Sequence, residues 1–324
     1  MPKRPQLPPL TMRDEQILVL LHRYRFLTVD LLFPLIHAES GDLGPTRGLA
    51  VDGSAHPRGY GFGRQALYKR LRRLHENGLV DRQYLYPQAG VTLRGSPRAV
   101  FSLVPRSAQV LARVLKVPSS EIRAGIKSSA VENPFLLHTL GVSRFRVVLE
   151  LASNQNQERF SQVEWRQGLE LRDRVFVQDG DGTKKWYSVY PDAAFIVQTR
   201  SKRLKLYFLE YDRGTEPLVT NTTRSNLRDK FIGYYHYRKS GLFLKRYGKK
   251  VAGFNVLFVM PDSHSASSRI DNSIDLLRSM GTGFRSSTLF WFTSESAFRI
   301  ERPHPIGSVI WRTVADQALK SIVN

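Results

Sequence analysis

The chain has no cysteine. Disulfides and thiolate metal sites are therefore excluded. No apolar run approaches the length of a membrane-spanning helix. The start, MPKRPQLPPL, is basic and Pro-rich and has no apolar stretch, so no secretion signal is expected and a cytoplasmic location follows. No internal repeat is visible. Acids are scarce: 28 Asp and Glu stand against 49 Lys and Arg, a formal net charge of +21. Such a surplus is an argument about partners rather than fold. Double-stranded DNA is the leading partner. An anionic membrane surface comes second, and no membrane partner is expected.

What is present divides in two. With 324 residues the chain is long enough for two domains with sizeable cores. The first is expected over residues 11–118, a joining segment over 119–133, and the second domain over 134–324. In the first, Thr11 and Asp14 offer a helix cap and a first-turn acid. Ile17, Leu18, Leu21 and Tyr24 follow at helical spacing. Thr28 can cap a second helix, which Pro34 would distort. Residues 39–62 read as a long loop. A third helix begins near Gly63, with Leu67, Leu71 and Leu74 as its buried stripe, and Asn77-Gly78 stops it. Strands are expected over Leu79–Tyr86 and Val100–Leu103, joined by a tip that carries Arg94 and Arg98. Three helices followed by a two-stranded wing is the winged-helix arrangement. The third helix then supplies Arg64, Gln65, Tyr68, Lys69, Arg72 and Arg73 to the DNA, and the wing supplies Arg94 and Arg98. A solvated helix face usually mixes signs, whereas here Glu76 is the only acid near four clustered cations.

In the second domain, Asn133-Pro134 opens a long helix. It carries His138, a core histidine or a group behind the site, and Glu150, a further candidate acid. The central stretch runs from Tyr187 to Thr215 and reads YSVYPDAAFIVQTRSKRLKLYFLEYDRGT. Two apolar runs, 189–197 and 204–211, flank a polar turn, which is a β-hairpin pattern. If the hairpin turns about Ser201, Asp192 falls opposite Glu210. Alternation puts Glu210 and Asp212 on one face with Leu206 and Phe208. Three carboxylates, Asp192, Glu210 and Asp212, then converge and are candidate ligands for Mg²⁺ or Mn²⁺. Clustered like charges need a cation or a proton to offset them.

These residues resemble the PD-(D/E)XK nuclease core, which carries Pro-Asp on one strand and Glu-x-Lys on the next. The string LEYDRGTE over 209–216 is more narrowly similar to the replication-relaxation family of bacterial mobile elements. The resemblance implies an N-terminal winged helix-turn-helix domain followed by a restriction-endonuclease-like mixed-sheet domain, an α/β fold within an α+β chain. It implies a DNA-binding protein with a metal-dependent DNA-cleaving domain, with Asp192 and Glu210 as catalytic ligands and Asp212 a further ligand or a proton acceptor. Other replication, transfer or transposition proteins are further candidate partners, as is a second copy of the chain.

One departure matters. The position expected to hold lysine is Asp212. Lys230, on the inward face of the helix that starts at Asn226, either snorkels to the surface or supplies the missing charge. The alternative to a nuclease is a non-catalytic regulator or initiator whose nuclease-like domain only holds DNA or a partner. A relaxase reading of Tyr234-Tyr235-His236-Tyr237 lacks the clustered histidines its metal would need.

Overall fold

The computed structural model describes residues 9–39, 63–85, 98–126, 132–178, 182, 184–220, 225–248, 250–261, 264–315 and 318–323. Most of the loop expected over 39–62, the wing tip with Arg94 and the Asp179–Asp181 turn lie outside them. Among the described residues there are ten α-helices and a mixed six-stranded sheet, so the chain is α+β. None of these helices is long and apolar enough to cross a membrane. The chain forms two compact units, residues 1–147 and 148–324.

The first unit opens with α1 (Met12–Tyr24), β1 (Leu27–Thr28) and α2 (Val29–Glu39). A reciprocal capping box starts α1: Asp14 N–H donates to Thr11 Oγ1 and Thr11 N–H donates to the Asp14 carboxylate. Helix α2 runs on through Pro34, where the sequence suggests distortion. Leu31, Leu32, Leu35 and Ile36 around it are all buried, and that burial outweighs one lost backbone hydrogen bond.

Next come α3 (Arg64–Glu76), β2 (Val80–Tyr84) and β3 (Ala99–Leu103). Leu67, Leu71 and Leu74 are the buried stripe of α3. Gly78, at φ +63°, supplies the left-handed residue that ends the turn. Strands β2 and β3 pair antiparallel, and β1 adds to the far side of β3, giving the order β1-β3-β2. Helices α4 (Ala108–Leu115) and α5 (Ser119–Gly125) follow, so part of the expected joining segment is helical. The long helix α6 (Asn133–Gln155) comes next, and the division between the units falls inside it.

The second unit continues with β4 (Phe160–Arg166), β5 (Asp173–Gln178), β6 (Lys184–Val189), β7 (Ala193–Thr199) and β8 (Leu204–Tyr211). Then come α7 (Leu227–Lys239), α8 (Phe243–Tyr247), β9 (Phe254–Met260), α9 (His264–Ser279), α10 (Thr282–Arg285), β10 (Phe290–Ser294) and β11 (Arg312–Thr313). The main sheet has the order β11-β10-β9-β8-β7-β4. Strands β4, β7 and β8 are antiparallel, and β8, β9 and β10 are parallel. Helix α7 lies in the connection from β8 to β9, and α9 in that from β9 to β10. Parallel neighbours require such connections.

Val189 belongs to β6, not to the strand that carries Ala193. The stretch Tyr190-Pro191-Asp192 separates the two, because Pro191 has no N–H to give a ladder. Strands β5 and β6 form their own two-stranded ribbon. Its inward side chains, Val175, Val177, Tyr187 and Val189, join the core around α7. Gly233 on α7 is needed there, since a Cβ would lie 3.0 Å from the Ser188 carbonyl oxygen. The rest of this core is aromatic. Phe231 from α7 meets Phe258, Phe290 and Phe292 of the sheet at 5.0–6.2 Å between ring centroids.

Candidate functional site

Strands β7 and β8 place the first acids. Their register pairs Ala193 with Leu209 and Gln198 with Leu204, so the turn centres on Ser201. Continued by one residue, that register puts Asp192 beside Glu210. Asp192 N–H donates to the Leu209 carbonyl at 2.9 Å, and its Oδ2 accepts Tyr211 N–H at 2.7 Å. The carboxylate is thus anchored at the end of the hairpin.

Glu210 points to the α7 side and is 3% exposed. Asn226 caps α7, its side-chain oxygen accepting Asp229 N–H at 3.0 Å. Lys230 and Tyr234 are four apart on that helix and so share a face. Lys230 Nζ donates to Glu210 Oε2 at 2.8 Å and stands equally close to Glu216 Oε2. The Tyr234 hydroxyl donates to Glu210 Oε1.

The electrostatics follow from burial. The Glu210 carboxyl is pushed up to about 7, and loss of water is the largest cause. The Asp192 charge adds to that rise, while Lys230 and Tyr234 oppose it. Burial alone would lower the Lys230 ammonium, but Glu210, Glu216 and Asp192 together hold it above its ordinary value. Burial first, and then Glu210, raises the Tyr234 phenol well above the usual range.

Asp212 does not join these groups as the alternation pattern suggests. It lies one residue beyond the end of β8, with its N–H donating to the Val259 carbonyl at 2.9 Å. Its Oδ1 accepts Gly214 N–H at 2.8 Å, and its Oδ2 accepts Arg269 Nε from α9. The same guanidinium donates to the Glu216 carbonyl at 2.6 Å. Glu210 and Asp212 are therefore held by different cations. Lys230 serves Glu210 and Glu216, and Arg269 serves Asp212.

Among the described residues, no group of three or more His, Cys, Asp or Glu is arranged to hold a metal. Asp192 and Glu210 remain as a pair of acids whose charges act on each other. One or two carboxylates with waters suffice for Mg²⁺. Three participants escape a reading of the sequence. Glu216 sits in a loop, Tyr234 reads as core, and Arg269 is one helix cation among many. His138 and Glu150 are both half-buried on α6, and the division at 147/148 leaves them in different units.

In the first unit, Arg64, Gln65, Tyr68, Lys69, Arg72 and Arg73 all lie on the exposed faces of α3, opposite its leucines. Arg98 is exposed just before β3. Arg64 pairs with Asp30, and Arg72 with Glu76 at 2.8 Å. Arg70 is different: it reaches back to Asp14 at 3.0 Å and to Thr11, and so ties α3 to the cap of α1.

Fold and site together define an α+β protein with an outward basic helix in one unit and a buried acid–lysine–tyrosine cluster in the other. The chain matches the replication-relaxation family over residues 18–252, most of its length, and belongs to that family. Membership implies a role in the replication or transfer of mobile genetic elements. No curated protein and no solved structure matches the chain.

Proposed function

We propose that the protein binds duplex DNA during the replication or transfer of a mobile element, and that its second unit is a metal-dependent DNA-cleaving domain of the PD-(D/E)XK kind. The observation that carries the reading is Lys230 Nζ at 2.8 Å from Glu210 Oε2. A helix supplies the cation that position 212 lacks, beside the acid that follows the Pro-Asp strand. The two acids also stand on neighbouring elements in that order, Asp192 just before β7 and Glu210 on β8. For the first unit, three helices and a β2–β3 hairpin support a winged helix, with α3 as the DNA-contacting element.

The acids fit Mg²⁺ or Mn²⁺ in part. Asp192 and Glu210 would hold the ion. Asp212 would not, because it turns to Arg269 of α9 and does not join the other two acids. Asp192, Glu210, Glu216 and Asp212 outnumber Lys230 and Arg269, which leaves room for a divalent cation when the acids are ionised. When bound, the ion supplies Lewis acidity and lowers the pKa of a coordinated water. Lys230 would turn from Glu216 to the phosphate and stabilise its developing charge. Tyr234 would keep Glu210 oriented. The cations of α3 would hold backbone phosphates and fix the register of the unit on the duplex.

The second reading is a DNA-binding protein without cleavage. Both oxygens of Glu210 are already engaged, by Lys230 and Tyr234, and that observation favours it.

One experiment separates them. The full chain, Asp192→Asn and the triple variant Lys69→Ala/Arg72→Ala/Arg73→Ala are melted with and without Mn²⁺, titrated with duplex DNA at several salt concentrations, and given supercoiled plasmid. Mn²⁺ is expected to raise the wild-type melting temperature. Asp192→Asn should lose most of that shift and all of the cleavage. The triple variant should flatten the salt dependence of binding by roughly 0.9 per lost phosphate contact. Binding without any metal shift or cleavage selects the second reading. An unchanged salt slope in the folded triple variant removes α3 as the DNA-binding element.

A further inference from the structure

The β5–β6 ribbon is not needed to complete the main sheet, because β4 pairs directly with β7 across it. One face of the ribbon is buried on α7. The other presents Arg174, Phe176 and Gln178 from β5, and Lys184, Trp186 and Ser188 from β6, all exposed. Phe176 and Trp186 stand directly opposite in the register, their ring centroids 5.1 Å apart. They are 44% and 54% exposed. A cross-strand aromatic pair can stabilise a ribbon by itself. That explanation does not account for the charges around this one.

The Arg174 guanidinium lies 4.6 Å from the Trp186 ring centre. Beside Trp186 is a depression of about 570 Å³, lined by Asp173, Arg174, Trp186, Leu242, Lys245 and Arg246. Its one acid, Asp173, accepts the Tyr237 hydroxyl at 2.8 Å and lies 3.7 Å from Arg246. The wall is thus cationic and aromatic together. The turn joining β5 to β6 contains Asp179 and Asp181 in the sequence. Arg174 stands at the opposite end, paired with Ser188, and Lys184 at the turn end, paired with Gln178.

We propose that this outward face binds an unpaired DNA strand, with bases stacked on Trp186 and Phe176 and phosphates held by Arg174 and Lys245. Aromatic rings accept the face of any base, and neighbouring cations follow the backbone. A duplex cannot use such a platform, because its bases are already stacked inside the helix. The surface therefore differs in ligand from the α3 face, and its residues lie outside the Asp192–Glu210 cluster. A protein active in replication or transfer would hold an opened strand there while the first unit holds duplex.

The test is fluorescence anisotropy of a labelled oligothymidylate of fifteen nucleotides with the full chain, the double variant Phe176→Ala/Trp186→Ala, and Lys245→Glu. Thymidylate forms no secondary structure, so it reports stacking and backbone contact alone. The double variant should bind it about tenfold to a hundredfold more weakly. Duplex affinity should stay within about twofold of wild type. Lys245→Glu changes only an exposed residue of α8 and guards against a folding defect in the ribbon. It should weaken oligothymidylate binding severalfold and flatten its salt dependence. Unchanged oligothymidylate affinity in both variants overturns the proposal. So does an equal loss of duplex binding, which would make this face part of the duplex path. Loss of self-association in the double variant, with oligothymidylate binding intact, also overturns it, by identifying the face as a protein contact.

Discussion

Glu210 and Asp212 are two residues apart, share a strand direction, and are both nearly inaccessible to water at 3% and 8% exposure. Their surroundings differ completely. Glu210 faces α7, where an ammonium and a phenol meet its two oxygens. Asp212 has passed the end of β8 and faces α9, where a guanidinium and a backbone N–H meet its own. Lys230 is also shared with Glu216, and 28% of its side chain remains exposed against 15% for Arg269. One acid is therefore held by a cation that is shared and more exposed. The other is held by a cation that also ties α9 to the loop through the Glu216 carbonyl. Of the two carboxylates, one shares a partly exposed lysine and the other is a strut between β8 and α9.

The largest expected effect breaks the strut. Arg269→Ala leaves Asp212 buried without its main partner, which should cost about 3–5 kcal/mol in chemical denaturation. Lys230→Met should cost less than half as much, because Glu210 can take up a proton near neutral pH and keeps the Tyr234 hydrogen bond. Equal losses from the two substitutions would mean that the two acids are held alike and that the contrast between them is false.

The second effect is on pH dependence. Glu210 titrates at about 7 in the folded chain, against an ordinary 4.5. The folded state therefore binds the proton more tightly between those values. The resulting stabilisation is present below about pH 4.5 and is lost as pH rises through 7. Glu210→Gln cannot titrate. Its stability relative to wild type should rise by about 2–3 kcal/mol between pH 4.5 and 8. A constant difference across that range would show that burial does not dominate at Glu210.

The smallest effect concerns the phenol. Tyr234→Phe removes one donor from Glu210 and nothing from Asp212, at a cost of about 1.5 kcal/mol. It should also raise the apparent pKa of Glu210, so the pH-dependent loss of stability should shift upward. A variant with wild-type stability and an unshifted profile would remove Tyr234 from the cluster.

Local periodicity made much of this legible in the sequence. The leucine stripe of α3, the capping box at Thr11 and the hairpin centred on Ser201 each follow from spacings of four residues or from two adjacent strands. The approach of Asp192 to Glu210 follows from that hairpin register, and the inward placement of Lys230 from helical spacing after Leu227. Strand alternation also says which face Glu210 takes. It does not say that the strand ends before Asp212, nor which helix covers each acid.

Those points depended on packing across long separations. Arg269 is 57 residues from Asp212, and nothing in its surroundings in the sequence distinguishes it from other helix arginines. Tyr234 reads as core because it is core; only its hydroxyl, aimed at Glu210, makes it part of the site. The ribbon shows the same division. Alternation along β5 and β6 predicts two faces, but α7 decided which one is buried and so left Phe176 and Trp186 outside. The sequence by itself determined the elements, their faces and the register of neighbouring strands, since these rest on interactions between nearby residues. The tertiary structure alone decided which cation met which acid, because burial forces each charge to find a partner and only the folded packing brings those partners within reach.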